Sequence, residues 1–159
     1  MTQRQRADRD RRRPSPRIAC HSKEASSMLI STVDHSRLVP LVADALSKRP
    51  SPVLEALDEM LAEATLVSPA EVPADLVTMN SAVLVEVPGK DAPRLLRLVY
   101  SPPDPAAEGH VVSVLSPMGA ALLGARVGSS VSLGTGAAAR VLRVNDIPYQ
   151  PERCGDWEL

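Results

Sequence analysis

Ser116-Pro117-Met118-Gly119-Ala120-Ala121-Leu122-Leu123-Gly124-Ala125-Arg126-Val127-Gly128-Ser129 is the most constrained stretch of this 159-residue chain. It reads as a strand exit, a capped short helix and a tight stop. Ser116 can cap the helix, and Pro117 fits its first position, where a missing N–H costs nothing. Leu122 and Leu123 supply a buried face, Gly124 a left-handed C-terminal stop, and Gly128 a turn into the next strand. Together they make a rigid corner.

Strands are expected on both sides of it. Residues 111–115 run into the corner, and residues 131–133 and 137–146 form a hairpin around Gly134-Thr135-Gly136. Upstream, residues 77–87 alternate Val83, Val85 and Val87. Pro88-Gly89-Lys90-Asp91 turns the chain, and residues 94–100 place Leu96, Leu98 and Tyr100 on one face. Ser101-Pro102-Pro103-Asp104-Pro105 is a polar loop, and Pro148-Tyr149-Gln150-Pro151 argues against a central strand at the C-terminal end.

Further upstream the period changes to that of a helix. Over residues 34–47, Leu38, Leu41 or Val42, and Ala45 recur at helical spacing, with Pro40 expected to start the helix late or kink it. Ser51 caps a second helix that begins at Pro52 and runs to about residue 65, with Leu54, Leu57, Leu61 and Ala64 on one face. Each helix would be roughly 20 Å long, and the pair reads as a helical hairpin. Ser68-Pro69-Ala70-Glu71 has the form of a capping box. The order is α+β: a short N-terminal antiparallel helical hairpin followed by an antiparallel sheet with one short helix.

Composition narrows the function. Aromatics are limited to Tyr100, Tyr149 and Trp157, so the core is Leu, Val and Ala, and aromatic base-stacking platforms are excluded. Residues 1–27 carry eight Lys/Arg against three Asp/Glu, whereas residues 28–159 carry ten against sixteen, a balance of −6. An acidic body disfavours phosphate-driven binding to nucleic acid and suits a protein partner with basic surface. The first 27 residues hold almost nothing to bury and are expected to be a disordered basic tail. Arg11-Arg12-Arg13 and Arg17 would make it a nucleic-acid arm; the simpler reading is a solvated extension, with Met28 a candidate start. Cys20 and Cys154 form neither a disulfide framework nor a zinc cluster, and no stretch reads as a membrane span or signal peptide. A soluble, cytoplasmic protein with reduced thiols is expected.

No catalytic, cofactor-binding or metal-binding residue is expected. His21, His35 and His110 adjoin no nucleophile motif. Gly134-Thr135-Gly136 lacks the Lys and helix of a phosphate loop. The acidic stripe Glu55, Asp58, Glu59 and Glu63 could in principle hold Mg²⁺, but beside a Leu seam it reads as the solvated face. Arg153, Cys154 and Asp156 match no motif.

The corner motif resembles the Ser-Pro-x-Gly-x-Ala-Leu-Leu segment of the Gre family of bacterial transcript-cleavage factors, and more closely its Rnk branch, the regulators of nucleoside diphosphate kinase. The likeness covers about residues 30–159. It includes Leu66-Val67-Ser68-Pro69, Val77-Thr78-Met79-Asn80-Ser81, Leu98-Val99-Tyr100, and Tyr149-Gln150-Pro151-Glu152 with Gly155-Asp156. The resemblance implies a helical hairpin over residues 28–67 and a GreA/GreB C-terminal-like domain of FKBP-like fold over residues 68–159. It further implies that Ser116, Pro117 and Met118, with Gly119 allowing close approach, bind the rim helices of RNA polymerase at its secondary channel. Cleavage factors carry an acidic pair at the hairpin tip. Here Lys48-Arg49-Pro50-Ser51-Pro52 stands at that place, on helices too short to reach the polymerase centre. The resemblance thus implies a non-enzymatic regulator of elongation that competes with Gre factors without cleaving transcripts. It would act as a monomer, without membrane or sequence-specific nucleic-acid binding, and any effect on nucleoside diphosphate kinase would run through transcription. Two other classes stand beside it: a peptidyl-prolyl isomerase, which needs an aromatic-lined pocket, and a nucleic-acid-binding module built on the tail.

Overall fold

A computed structural model of the chain describes residues 28–100, 110–134 and 136–157. The expectations for the 1–27 tail with Cys20 and His21, for the loop at 101–105 and for Thr135 lie outside these residues.

Strand β1 (Leu29–Ser31) pairs in parallel with β2 (Thr65–Val67), Ile30 opposite Leu66. Between them lie helices α1 (Thr32–Lys48) and α2 (Pro52–Ala62). The Ser31 hydroxyl accepts from the Asp34 N–H at 3.0 Å, and the Ser51 hydroxyl from the Leu54 N–H at 3.3 Å, so each helix starts on a serine cap. Leu38 and Val42 of α1 are buried with Leu57 and Leu61 of α2. His35 Nε2 lies 3.2 Å from the Leu61 carbonyl oxygen, joining the start of α1 to the end of α2; the two helices therefore run in opposite directions.

Helix α1 starts at Thr32 and continues through Pro40, so the late start that Pro40 suggested does not occur. Pro40 removes the N–H that would meet the Ser36 carbonyl, but both residues are exposed and water can take the acceptor. Helix α2 stops at Ala62 rather than near residue 65, because the chain leaves there to pair with β1.

After β2, the Glu71 carboxylate accepts from the Ser68 N–H at 3.1 Å and the Ser68 hydroxyl at 2.7 Å, closing one turn of 3₁₀ helix over Pro69–Glu71. The main sheet is built from β3 (Ala82–Glu86), β4 (Arg94–Val99), β5 (Val111–Ser113), β6 (Ser130–Leu133) and β7 (Arg140–Tyr149), in the order β5-β4-β3-β7-β6. Helix α3 (Pro117–Leu122) lies between β5 and β6, and α4 (Pro151–Cys154) follows β7.

Three features of this sheet depart from expectation. Residues 77–81 are not part of β3. The β4–β5 pair is parallel, so the sheet is antiparallel-rich rather than purely antiparallel. Strand β7 runs on through Pro148 to Tyr149, past the expected end at residue 146. It tolerates the proline because β6 pairs only with residues 140–143, which leaves the later part of β7 with β3 as its one neighbour. Pro148 falls where the β3 register shifts between Ala82 and Leu84, and such irregularities are where a sheet accepts proline.

Val83, Val85, Leu96, Leu98 and Val144 face inward from the sheet, and Leu122 and Leu123 cover them. Ile30, Leu38, Val42, Leu57 and Leu61 join the same cluster, so the helical segment and the sheet share one core.

Candidate functional site

The corner is fixed from below by backbone. The Ser116 hydroxyl accepts from the Gly119 N–H at 3.1 Å and donates to the Ser113 carbonyl at 2.6 Å, so one side chain both caps α3 and ties it to the end of β5. A Cβ placed on Gly119 would land on the Ser113 carbonyl oxygen, 2.6 Å from its carbon and 2.8 Å from Val114 Cα. Helix α3 therefore rests directly on the β5 backbone. Gly119 makes a close approach to the chain's own strand.

The exit from α3 is equally determined. Gly124 adopts φ +76°, the left-handed stop expected of it, and its N–H donates to the Val77 carbonyl at 2.9 Å. The Val77 N–H returns to the Ala125 carbonyl at 2.8 Å, and Arg126 pairs with Asp75 at 3.0 Å. With Leu122 and Leu123 in the core and Gly119 buried, the corner presents an exposed Pro117 and a half-buried Met118 and Ser116 to solvent.

A second cluster, which sequence reasoning missed, joins α1 to the sheet. Asp34 is buried; its carboxylate accepts from the Tyr100 hydroxyl at 2.7 Å and the Met79 N–H at 3.3 Å. The Thr78 hydroxyl donates to Glu152 at 2.7 Å and also lies 2.9 Å from the Ser81 oxygen. Burial, together with the Asp34 carboxylate, pushes the Tyr100 phenol well above its usual range. Burial also raises Glu152, and the neighbouring Asp34 charge adds to the effect. Gln150, fully buried, donates to the carbonyls of Pro73 at 2.9 Å and Leu76 at 2.8 Å. The short motifs at 77–81, 98–100 and 149–152 thus converge on one network. Its missing member was signalled only by Ser31-x-x-Asp34 at a helix start, a weak relative of the capping box.

The gap beside Asp34 and Glu152 encloses about 10 Å³, room for one water at most. Among the described residues no group of three or more His, Cys, Asp and Glu is placed to hold a metal ion. Glu55, Asp58 and Glu59 lie exposed on α2 and Glu63 is exposed at its C-cap, while the connection at 49–51 is Arg49, Pro50 and Ser51. Both tyrosines are engaged internally. Tyr149 donates to Asp156 at 2.6 Å, which holds its phenol up at about 12, and lies 5.8 Å beneath the Arg97 guanidinium. No helix among the described residues is long and apolar enough to cross a membrane.

Comparison with known proteins agrees with the fold. Residues 72–149 match the family model "Transcription elongation factor, GreA/GreB, C-term". The chain is 37% identical over 138 residues to the regulator of nucleoside diphosphate kinase of Escherichia coli K12, covering 84% of this chain and 97% of that protein, and equally similar to its counterpart in Shigella flexneri. A solved GreA/GreB elongation factor from Nitrosomonas europaea superposes with a TM-score of 0.64 at 33% identity, over 77% of this chain and 99% of its own. The chain belongs to the GreA/GreB transcription elongation factor family, beside the regulators of nucleoside diphosphate kinase.

Proposed function

We propose that this protein is a non-enzymatic regulator of Rnk type. It docks on bacterial RNA polymerase at the secondary channel through Ser116, Pro117 and Met118, with Gly119 pinning the corner beneath them. The observation that carries this reading is the shape of the corner: an exposed Pro117 and a partly exposed Met118 stand on a base that the Gly119 contact and the Ser116 bonds hold in one conformation. Preorganised apolar anchors of this kind bind with little ordering cost.

In this reading residues 28–67 form the helical unit at the channel mouth, and residues 68–159 form the docking domain, an FKBP-like sheet curled about α3. Binding occurs without transcript cleavage, because no carboxylate lies in the connection between the helices. The first acidic residue of α2 is Glu55, three residues past its start. Helices of 17 and 11 residues extend only about 25 and 17 Å. The protein would therefore occupy the Gre site and modulate elongation by exclusion, and an effect on nucleoside diphosphate kinase would follow through transcription. The isomerase alternative loses support, since Tyr100 and Tyr149 are committed to Asp34 and Asp156 rather than lining a pocket.

Competition tests the proposal: the full chain is titrated onto core polymerase carrying a labelled Gre factor. Displacement by the wild type and none by Met118→Asp is the expected result. No displacement at micromolar wild-type protein overturns it.

A further inference from the structure

An open apolar groove of about 360 Å³ runs beside the corner. One wall is the face of α2 bearing Val53, Ala56 and Met60, the other is Pro117, Ala120 and Ala121 of α3, and Leu133 of β6 also lines it. Ala56 and Pro117 are exposed, and Val53, Met60 and Ala120 are half-buried, so the surface is apolar yet open to solvent. Glu59 and Glu63 each lie three residues beyond a wall residue, Ala56 and Met60, and are exposed. They form an acidic rim along the C-terminal end of α2 and its cap. None of α2, α3 and β6 contains a Lys or Arg.

We infer that this groove receives an amphipathic helix of the polymerase whose apolar face is flanked by Lys or Arg, making α2 part of the docking surface. The inference rests on the polymerase reading given above. Three observations select that occupant. Two helices, α2 and α3, supply most of the lining, and α3 packs on the edge strand β6, which favours a helix laid in a groove over an added strand. The acidic rim demands cationic flanks, which steer association and fix orientation. Residues 1–27 contain a single Ile and no Leu, Val or aromatic, so they offer no apolar helix face, and residues 28–159 of a second copy would bring a balance of −6 against the rim. Met60 lets the wall adapt to the helix that enters.

Binding of the full chain to core polymerase is measured for wild type, Ala56→Arg, the double variant Glu59→Lys/Glu63→Lys, and Met118→Asp, at low and moderate salt. All three altered groove positions are exposed or border solvent, and matched thermal melts confirm folding. The expected result is at least tenfold weaker binding by Ala56→Arg, and weaker binding with a flatter salt dependence for the double variant. Wild-type affinity and salt response in both groove variants, with binding lost in Met118→Asp, overturns the groove and leaves the polymerase reading standing. No binding by the wild type overturns both.

Discussion

Replacing Gly119 by Ala isolates the contact that fixes the corner. In an ordinary helix this change is favourable by about 0.5–1 kcal/mol, because glycine loses more backbone freedom on folding. Gly119 has no positive φ to forbid it, so conformational preference alone favours alanine. The added methyl, however, would fall on the Ser113 carbonyl oxygen at the end of β5 and 2.8 Å from the Cα of Val114, the next residue, both backbone atoms. No rotamer can relieve the clash, so α3 must lift. Overpacking costs about 1–3 kcal/mol and belongs here at its upper end. Subtracting the conformational gain leaves a loss of about 2 kcal/mol, which lowers the melting temperature by roughly 4–8 °C for a chain of this size. Thermal and urea unfolding followed by circular dichroism read this directly, and polymerase binding should weaken in step as Pro117 shifts. An alanine variant as stable as the wild type, or more so, would refute the reasoning, because its sign alone separates a buried backbone contact from an ordinary helical glycine.

The buried network gives three further expectations. Tyr100→Phe keeps the ring but removes a donor from the buried Asp34 carboxylate, and should cost about 1–3 kcal/mol in urea unfolding. Gln150→Ala leaves the Pro73 and Leu76 carbonyls without their donor and opens a cavity, so a loss of about 3 kcal/mol or more is expected by the same assay. Glu152 titrates above its ordinary 4.5 in the folded state, so the native protein holds this proton more tightly than the unfolded chain. Its contribution is fully present below the unfolded value and is lost as pH rises through the folded one. Glu152→Gln should therefore be at least as stable as wild type at pH 7 and show a smaller fall in stability above pH 4.5; a variant clearly less stable at pH 7 contradicts this.

Local signals carried much of the fold. The caps at Ser51 and Ser116, the helix-starting prolines Pro52 and Pro117, and the left-handed Gly124 all follow from short-range chemistry and stand where the sequence placed them. What was not legible depends on partners far along the chain. The β1–β2 pair is three residues on each side, too short to show a period, and exists because each strand finds the other across the helical segment. Pro40 and Pro148 were judged by rules that assume a paired N–H at that position; solvent at one and a one-sided strand at the other remove the penalty. The parallel pairing of β4 with β5 leaves no local mark. The partners of Asp34 were unreadable for the same reason: Ser31-x-x-Asp34 marks a helix start, but nothing near it in sequence announces Tyr100 or Glu152 as neighbours.

The most direct measurement of the central claim is site-specific photo-crosslinking to core RNA polymerase with a photoreactive residue in place of Pro117, and a second chain carrying it at Leu95, which is half exposed on β4. The account predicts a crosslink from position 117 to the polymerase rim helices at the secondary channel, abolished by excess Gre factor, and none from position 95. Crosslinking that is equal from both positions, or that maps position 117 elsewhere on the polymerase, would contradict it.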